Sequence, residues 1–230
     1  MKELDYKIQS ILNASYSSIF KLLEEERCIN APIEFAQVGR VLHTIVEKCL
    51  YNKILLFLDK VSLPQNYELN VEKYKVLPNA ISGVSKLYIK LPNGEIDYNI
   101  FKYLIVDDSC MGAWQALLLH ELWHILPLYD HSNYSSYTNI FNDSEKDLIF
   151  KYINSEDERL DGIKKVVESY DLSIKCVSFK DYYFILFTTW SVSVGLERYF
   201  YEIQIKDKQI VNINMRRCES LFKYNNGIRR

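Results

Sequence analysis

The fold is decided by the stretch from Ile174 to Ile213, which reads IKCVSFKDYYFILFTTWSVSVGLERYFYEIQIKDKQIVNI. β-branched and aromatic residues dominate this stretch, and short polar breaks divide it into runs of strand length. The break Lys206-Asp207-Lys208 suits a tight turn between neighbouring strands. The pattern therefore predicts a C-terminal antiparallel β-meander of four strands: Ile174–Phe179, Tyr182–Val194, Glu197–Ile205 and Gln209–Ile213.

The first quarter of the chain has helical rather than strand periodicity. Hydrophobic residues recur at helical spacing from Ile8 to Leu23, and again from Ile33 to about Val61. Two amphipathic segments that follow each other closely can bury their apolar faces against one another. We therefore expect an N-terminal helical hairpin, followed by a loop-like stretch that contains Pro64, Pro78 and Gly83.

A second hairpin is expected further along, this time made of strands. The segments Lys86–Leu91 and Glu95–Val106 are rich in strand-forming residues, and Pro92-Asn93-Gly94 separates them. An Asn-Gly pair is favoured in tight hairpin turns because both residues adopt positive φ easily. The sequence therefore predicts a β-hairpin in the middle of the chain.

Helices are expected between this hairpin and the meander. The longest covers Met111–Leu126 and ends before Pro127, and it is apolar on almost every side, so it should be buried. Two more are expected, one beginning after Ser144 and one over Glu156–Tyr170. Together these elements predict an α+β protein. The absence of a flexible linker favours one domain over 1–230, or two packed lobes with a seam near Ser155.

Overall charge excludes two classes of partner. The chain has 28 basic and 30 acidic residues and a formal net charge of -2. It therefore lacks the single-sign field that attracts nucleic acid or an anionic membrane surface. The longest uncharged stretches, Ser109–His120 and Tyr182–Leu196, are too short to cross a membrane as helices.

Cysteine usage predicts a reducing compartment. The five cysteines are widely spaced and contain no C-x-x-C pair, so neither a disulfide framework nor a cysteine zinc site is indicated. The N-terminal residues lack the apolar run of a secretory signal. We expect a cytoplasmic protein with free thiols.

The strongest chemical signal is the sequence HELWH at His120 to His124. On a continuous helix the two imidazoles lie about 40° apart and Glu121 lies beside them. Two imidazoles one turn apart can hold one zinc ion, and the neighbouring carboxylate can reach a water molecule on that ion. The spacing therefore indicates a zinc site that activates water.

This motif resembles that of the zincin metallopeptidases. His120-Glu121-Leu122-Trp123-His124 is preceded by Leu117-Leu118-Leu119 and followed by Ile125-Leu126, which matches the uncharged surround of the family motif. The resemblance covers roughly 25 residues. It implies zinc as cofactor, His120 and His124 as ligands, Glu121 as general base, and a peptide or protein as substrate.

A third protein ligand is needed, and three residues are candidates. Glu145 opens a downstream helix, as in the branch of the family that uses a glutamate ligand, and we favour it. Asp130 has the metzincin-like spacing from His124, and His131 lies one residue further. Pro127 stands where metzincins have glycine, and Met215 is too distant for their methionine turn, so that branch is disfavoured.

A non-catalytic function explains the same sequence. Eighteen tyrosines are many for 230 residues, and tyrosine is enriched in recognition surfaces as well as in cores. On this alternative the chain is a protein-binding module, such as a bacterial inhibitor or immunity protein, and the histidines of HELWH form hydrogen bonds within the core. Its partner would be another protein. Neither alternative indicates an oligomeric state.

Overall fold

The computed structural model describes residues 20, 31, 34–39, 51–75, 82–121, 139–140, 143–150, 160–191 and 195–223. It contains helices and a dominant antiparallel sheet, which confirms the α+β class. The strands are β1 (Val61–Ser62), β2 (Glu68–Lys75), β3 (Ser82–Lys90), β4 (Ile96–Asp97), β5 (Ile105–Val106), β6 (Asn139–Ile140), β7 (Lys175–Phe179), β8 (Tyr182–Ser191), β9 (Gly195–Lys206) and β10 (Gln209–Lys223). The helices named below are α1 (Cys110–His120), α2 (Lys146–Phe150) and α3 (Leu160–Ser169).

The central sheet has seven strands in the order β1-β5-β10-β9-β8-β6, and β7 pairs with β8 on the same edge as β6. The strands β7 to β10 are consecutive antiparallel neighbours, in the order that the meander predicted. β10 continues to Lys223, well past the predicted end at Ile213. Side chains beyond Ile213 are mostly exposed, so they carry no hydrophobic alternation that would reveal a strand.

The small sheet has the order β2-β3-β4. Its hairpin turn lies where expected, with the Gly94 N–H donating to the Leu91 carbonyl at 2.8 Å and Gly94 at φ 89°. Two predictions were wrong here. The strand expected over Glu95–Val106 is split into β4, a 3-10 turn and β5, which joins the central sheet. The loop expected between Pro64 and Gly83 contains β2, whose charged sequence ELNVEKYK conceals the strand.

The N-terminal helical hairpin lies largely outside the described residues. Residues 34–39 are helical, within the second predicted helix. That helix was expected to run to about Val61, and this end was wrong, because Tyr51–Leu56 form a 3-10 helix and Val61 begins β1. The predicted seam near Ser155 also lies outside the described residues. Among the described helices, none is long and apolar enough to cross a membrane.

Helix α1 is buried, as expected, and polar groups fix its position. The Ser109 hydroxyl caps its start by accepting the Gly112 N–H at 3.0 Å. The Trp114 indole donates to the Phe35 carbonyl at 2.7 Å. The Gln115 amide accepts from Lys60 N and donates to Asp59 Oδ1, both at 2.8 Å. These contacts hold α1 against helix 34–39 and the loop before β1.

The central sheet separates two hydrophobic clusters. One face, which we call the α1 face, packs against α1. Its side chains in this cluster are those of Tyr183, Ile185, Phe187, Tyr201 and Ile203. The opposite face, the α3 face, has a second cluster built from the two other helices and the ends of β8 and β9: Ile149, Ile163, Val167, Leu172, Trp190 and Leu196. Successive strand residues point to opposite faces, so β8 and β9 supply both clusters.

Candidate functional site

The site predicted from HELWH begins where α1 ends. The helix was expected to reach Leu126, and this boundary was wrong: the last helical residue is His120, and Glu121 is its C-cap, with its N–H donating to the Leu117 carbonyl at 2.8 Å. His124, Asp130 and His131 lie outside the described residues.

The imidazole of His120 is partly open to solvent and its Nδ1 atom is engaged. The side chain is 38% exposed, and Nδ1 lies 2.6 Å from Oε1 of Glu121. The Phe101 ring packs against the imidazole with centroids 5.5 Å apart. With Nδ1 held by a carboxylate, Nε2 is the nitrogen that a metal ion or a substrate would use.

The carboxylate of Glu121 is buried, at 5% residue exposure. It lies against the hydroxyl of Tyr201 on β9, which is itself 1% exposed. The pKa of Tyr201 is raised well above its usual value, first by burial and then by the charge of Glu121 and the hydrogen bond to it. Tyr201 therefore stays protonated, and its hydroxyl acts as a donor to Glu121.

A second acidic contact lies beside this one on the α1 face. The Tyr199 hydroxyl donates to Glu197 Oε2 at 2.8 Å, and Cys218 of β10 lies against the same tyrosine. The pKa of Tyr199 is raised by burial and then by Glu197. A chain of polar groups therefore runs from His120 through Glu121 and Tyr201 toward Tyr199 on the sheet.

Tyr201 was missed at the sequence level. One signal was available: alternation along β9 places Tyr199 and Tyr201 on the face that receives the buried helix. A buried tyrosine needs a partner for its hydroxyl, and Glu121 is the charged residue that directly follows the apolar sequence of α1.

The third predicted ligand is not brought to this site by the described backbone. Glu145 ends a 3-10 turn that leads into α2. This turn belongs to the α3 face, because Asp143 accepts the Leu172 N–H at 3.0 Å and Ile149 of α2 lies in the second cluster. Among the described residues, no group of three His, Cys, Asp or Glu side chains is placed to hold a metal ion.

The cysteines in the described ranges, Cys110, Cys176 and Cys218, are free. Two of them meet at the start of α1, where the pKa of Cys110 is lowered by a hydrogen bond from Cys176. The hydroxyl of Tyr183 donates to Asp108 beside them. This end of α1 thus has a polar cluster of its own, separate from His120.

No known protein family, no curated protein and no solved structure matches this chain.

Proposed function

We propose that this chain is a zinc-dependent hydrolase that cleaves a peptide bond in a peptide or protein. His120 and His124 would hold the metal ion. The contact between His120 Nδ1 and the buried Glu121 carboxylate, at 2.6 Å, carries the proposal. A location in the cytoplasm stays a prediction from cysteine usage.

That contact fits the environment of a zinc ligand. A metal-binding histidine usually donates its second ring N–H to a carboxylate or carbonyl, which fixes the tautomer and the ring orientation. Glu121 provides such an acceptor, and Tyr201 supports it from the sheet. Partial exposure of His120 leaves the imidazole within reach of an ion from solvent.

We infer that the third ligand is among the residues that follow Pro127 rather than Glu145. The turn that contains Glu145 packs on the α3 face, while His120 belongs to the helix on the α1 face. Asp130 and His131 follow the motif directly in the chain. One of these two residues, with His120 and His124, would complete the three protein ligands of a catalytic zinc site.

Two roles compete for Glu121, and the geometry separates them. When bound, zinc would activate water and polarise the scissile carbonyl. The family motif makes Glu121 the base that takes the proton from that water. In the described arrangement its carboxylate holds Nδ1, on the opposite side of the ring from Nε2. Glu121 can therefore act as base only after it releases His120, and otherwise it is a positioning residue.

The decisive experiment measures zinc in protein purified without chelator. We expect close to one equivalent in the wild type and loss of the metal in His120→Ala and in His124→Ala. His43→Ala is the matched control, since His43 lies outside the motif and should leave metal content unchanged. A wild-type content below about a tenth of an equivalent overturns the proposal.

The variant Glu121→Gln distinguishes the two roles. If Glu121 is the base, hydrolysis of a casein-type substrate is lost while zinc affinity is unchanged. If Glu121 positions His120, zinc affinity falls by about 10- to 100-fold, because a carboxamide holds the Nδ1 proton less strongly. Tyr201→Phe complements this test, because it removes the hydroxyl that donates to the Glu121 carboxylate and leaves the carboxylate itself in place.

A protein-binding module is the second candidate, and β10 favours it. This strand has 15 residues, and in the described part of the chain its edge opposite β9 pairs with β5 only at Gln209. Val211 and Met215 are 57% and 55% exposed along it. Exposed strand edges with apolar side chains are common docking sites for a partner strand. A metal-free wild type would favour this function.

A further inference from the structure

Two thiols lie in contact at the start of α1, at the opposite end of this helix from His120. Cys110 is the first residue of α1, and Cys176 lies on β7, where it pairs with Ile185 of β8. Their side chains share a hydrogen bond, and both thiols are free. Both side chains also pack against the core of the α1 face. A helix and a strand that are far apart in sequence therefore hold the two sulfurs next to each other.

The backbone on both sides of this pair is fixed by other contacts. The Ser109 hydroxyl accepts the Gly112 N–H at 3.0 Å, and Gly112 packs directly on the Asp107 carbonyl. Strand β7 pairs with β8 along its whole length, from Lys175 to Phe179. A disulfide needs this kind of constraint, because the separation and the direction of its two Cβ atoms are narrowly limited. The folded protein therefore keeps the two thiols together.

The two thiols differ in their surroundings. Cys110 is half-buried next to the exposed residues Asp107 and Asp108, and the hydrogen bond from Cys176 lowers the pKa of its thiol. The pKa of Cys176 is raised, first by burial and then by the same hydrogen bond. The Tyr183 hydroxyl, which donates to Asp108, lies beside both sulfurs and stays protonated because burial raises its pKa. Cys110 is therefore the thiol that reacts first, and Cys176 is the one placed to react with it.

We propose that Cys110 and Cys176 form a reversible disulfide in the presence of a hydroperoxide. The Cys110 thiolate attacks one peroxide oxygen, the O–O bond breaks, and the leaving hydroxide takes up a proton to become water. The Cys176 sulfur then attacks the sulfur of the Cys110 sulfenic acid, the S–O bond breaks, and the hydroxyl leaves with the Cys176 proton as a second water. The two thiols thus lose two electrons and two protons, and the peroxide is reduced to two waters.

The bond would join the start of α1 to β7 covalently, and it does not involve the zinc proposal. His120 lies at the other end of α1, roughly 15 Å along the helix axis from Cys110. No residue of HELWH belongs to the pair of thiols. A metal-free protein would therefore leave this proposal untouched, and a failure to form the disulfide would leave the zinc proposal untouched.

The first test uses the full-length wild type. The protein is treated with hydrogen peroxide, the remaining thiols are alkylated, and tryptic peptides are identified by mass spectrometry without reduction. Trypsin separates the two cysteines into peptides 103–146 and 176–180. We expect these two peptides to be linked in most chains and to be released by dithiothreitol. The absence of this link, or links to Cys28, Cys49 or Cys218 at a similar yield, overturns the proposal.

Unfolded protein is the control for the role of the fold. In concentrated urea the contact between α1 and β7 is lost, so the preference for the link between Cys110 and Cys176 should disappear. A preference that persists in urea would show that the fold does not bring these thiols together, and it would contradict the proposal.

Variants then test the order of reaction. In Cys176→Ser the sulfenic acid of Cys110 has no thiol beside it, so it should accumulate and be trapped by dimedone. In Cys110→Ser the labelling of Cys176 should be at least about tenfold weaker, because its thiolate is scarce. Cys218→Ser removes an exposed cysteine, and this control should form the link as the wild type does. Equal labelling of Cys110 and Cys176 contradicts the assigned order.

Thermal unfolding tests whether the bond fits the folded structure. A link between residues far apart in sequence restricts the unfolded chain, so oxidation should raise the midpoint of unfolding by about 5 °C or more. The rise should occur in the wild type and in Cys218→Ser, and it should be absent in Cys110→Ser. An unchanged or lower midpoint in fully linked protein would show that the bond strains the contact between α1 and β7, and it would overturn the proposal.

Discussion

The two faces of the central sheet differ in the charged groups that are buried there. On the α1 face, a buried carboxylate, Glu121, is surrounded by groups that donate to it: His120 and Tyr201. On the α3 face, two buried cations, Lys175 and Arg198, border a cavity. Strand β9 supplies both faces, because neighbouring residues alternate sides. A single strand can therefore contribute to two environments of opposite charge, one on each face of the sheet.

The largest effect is expected from Gly112→Ala, which tests how tightly the α1 face is packed. A Cβ at this position would lie 2.1 Å from the backbone oxygen of Asp107, and a backbone atom cannot move aside cheaply. We expect a loss of about 3 kcal/mol or more in the free energy of unfolding, measured by urea denaturation.

The α3 face provides the matched control for that glycine. A Cβ at Gly162 of α3 would meet nothing within 4 Å. Gly162→Ala should therefore stabilise the protein by about 0.5 to 1 kcal/mol, through helix propensity. Equal effects of the two substitutions would show that the faces do not differ in packing.

Alkaline pH is expected to weaken the α1 face selectively. Burial raises the pKa of Tyr183 and of Tyr201 above the usual 10.0, and in each case a neighbouring carboxylate adds to the rise. A raised pKa means that the folded state keeps its proton while the unfolded chain loses it. The resulting stability is complete below about pH 10 and is lost as the pH rises further, by at most about 1.4 kcal/mol per pH unit for each tyrosine.

This prediction is checked by urea denaturation on both sides of that pH. Tyrosinate absorbance should appear only with unfolding for the buried tyrosines. Tyr201→Phe should make the free energy of unfolding fall less steeply with pH on the alkaline side. If the free energy falls as steeply in this variant as in the wild type, ionisation of Tyr201 does not cause the loss of stability.

Tyr201→Phe at neutral pH is expected to have an intermediate effect. The ring stays, and the buried Glu121 carboxylate loses a donor, which should cost about 1 to 3 kcal/mol in the free energy of unfolding. Tyr182→Phe, at a half-buried position on β8, should change it by less than about 0.5 kcal/mol. Equal losses would mean that the hydroxyl of Tyr201 does not support Glu121.

The smallest effect is expected on the α3 face, at Asp171. Burial tends to raise the pKa of its carboxyl, but hydrogen bonds from Ser173 and the ion pair with Lys175 outweigh burial and lower it below 3.8. The stability that the ionised Asp171 carboxylate contributes is present above about pH 4 and is lost as the pH falls through the folded pKa. Because the side chain is 38% exposed, Asp171→Asn should cost less than about 1 kcal/mol at pH 7. A cost equal to that of Tyr201→Phe would remove the distinction between the faces.

The parts of the fold that could be predicted are those whose side chains alternate or repeat because they are buried. The strands β7, β8 and β9 pack on both faces and have continuous runs of β-branched and aromatic residues. Helix α1 is apolar almost throughout, and its burial follows directly. Strand β2 was missed because its charged residues give it the composition of a loop, while its pairing with β3 holds it in the sheet.

The end of α1 could not be predicted from its own residues. Glycine at the C-cap or proline soon after it usually marks a helix end, and Glu121 is neither. Glu121, the first residue after the helix, lies against Tyr201, which is far away in sequence, and no residue of α1 signals that contact. The cavity had a weaker signal: Lys175 and Arg198 are cations in strands whose residues are mostly buried, and such charges need a buried partner.

Neutral groups hold α1 in place. The anchoring atoms of Trp114 and Gln115 are an indole N–H and a carboxamide, which do not titrate between acid and alkaline pH. Dissolved salt also screens such dipoles far less than it screens ion pairs. High salt should thus leave α1 in place, whereas acid should weaken the contact from Gln115 to Asp59 once it protonates that carboxylate, whose pKa the same hydrogen bond lowers.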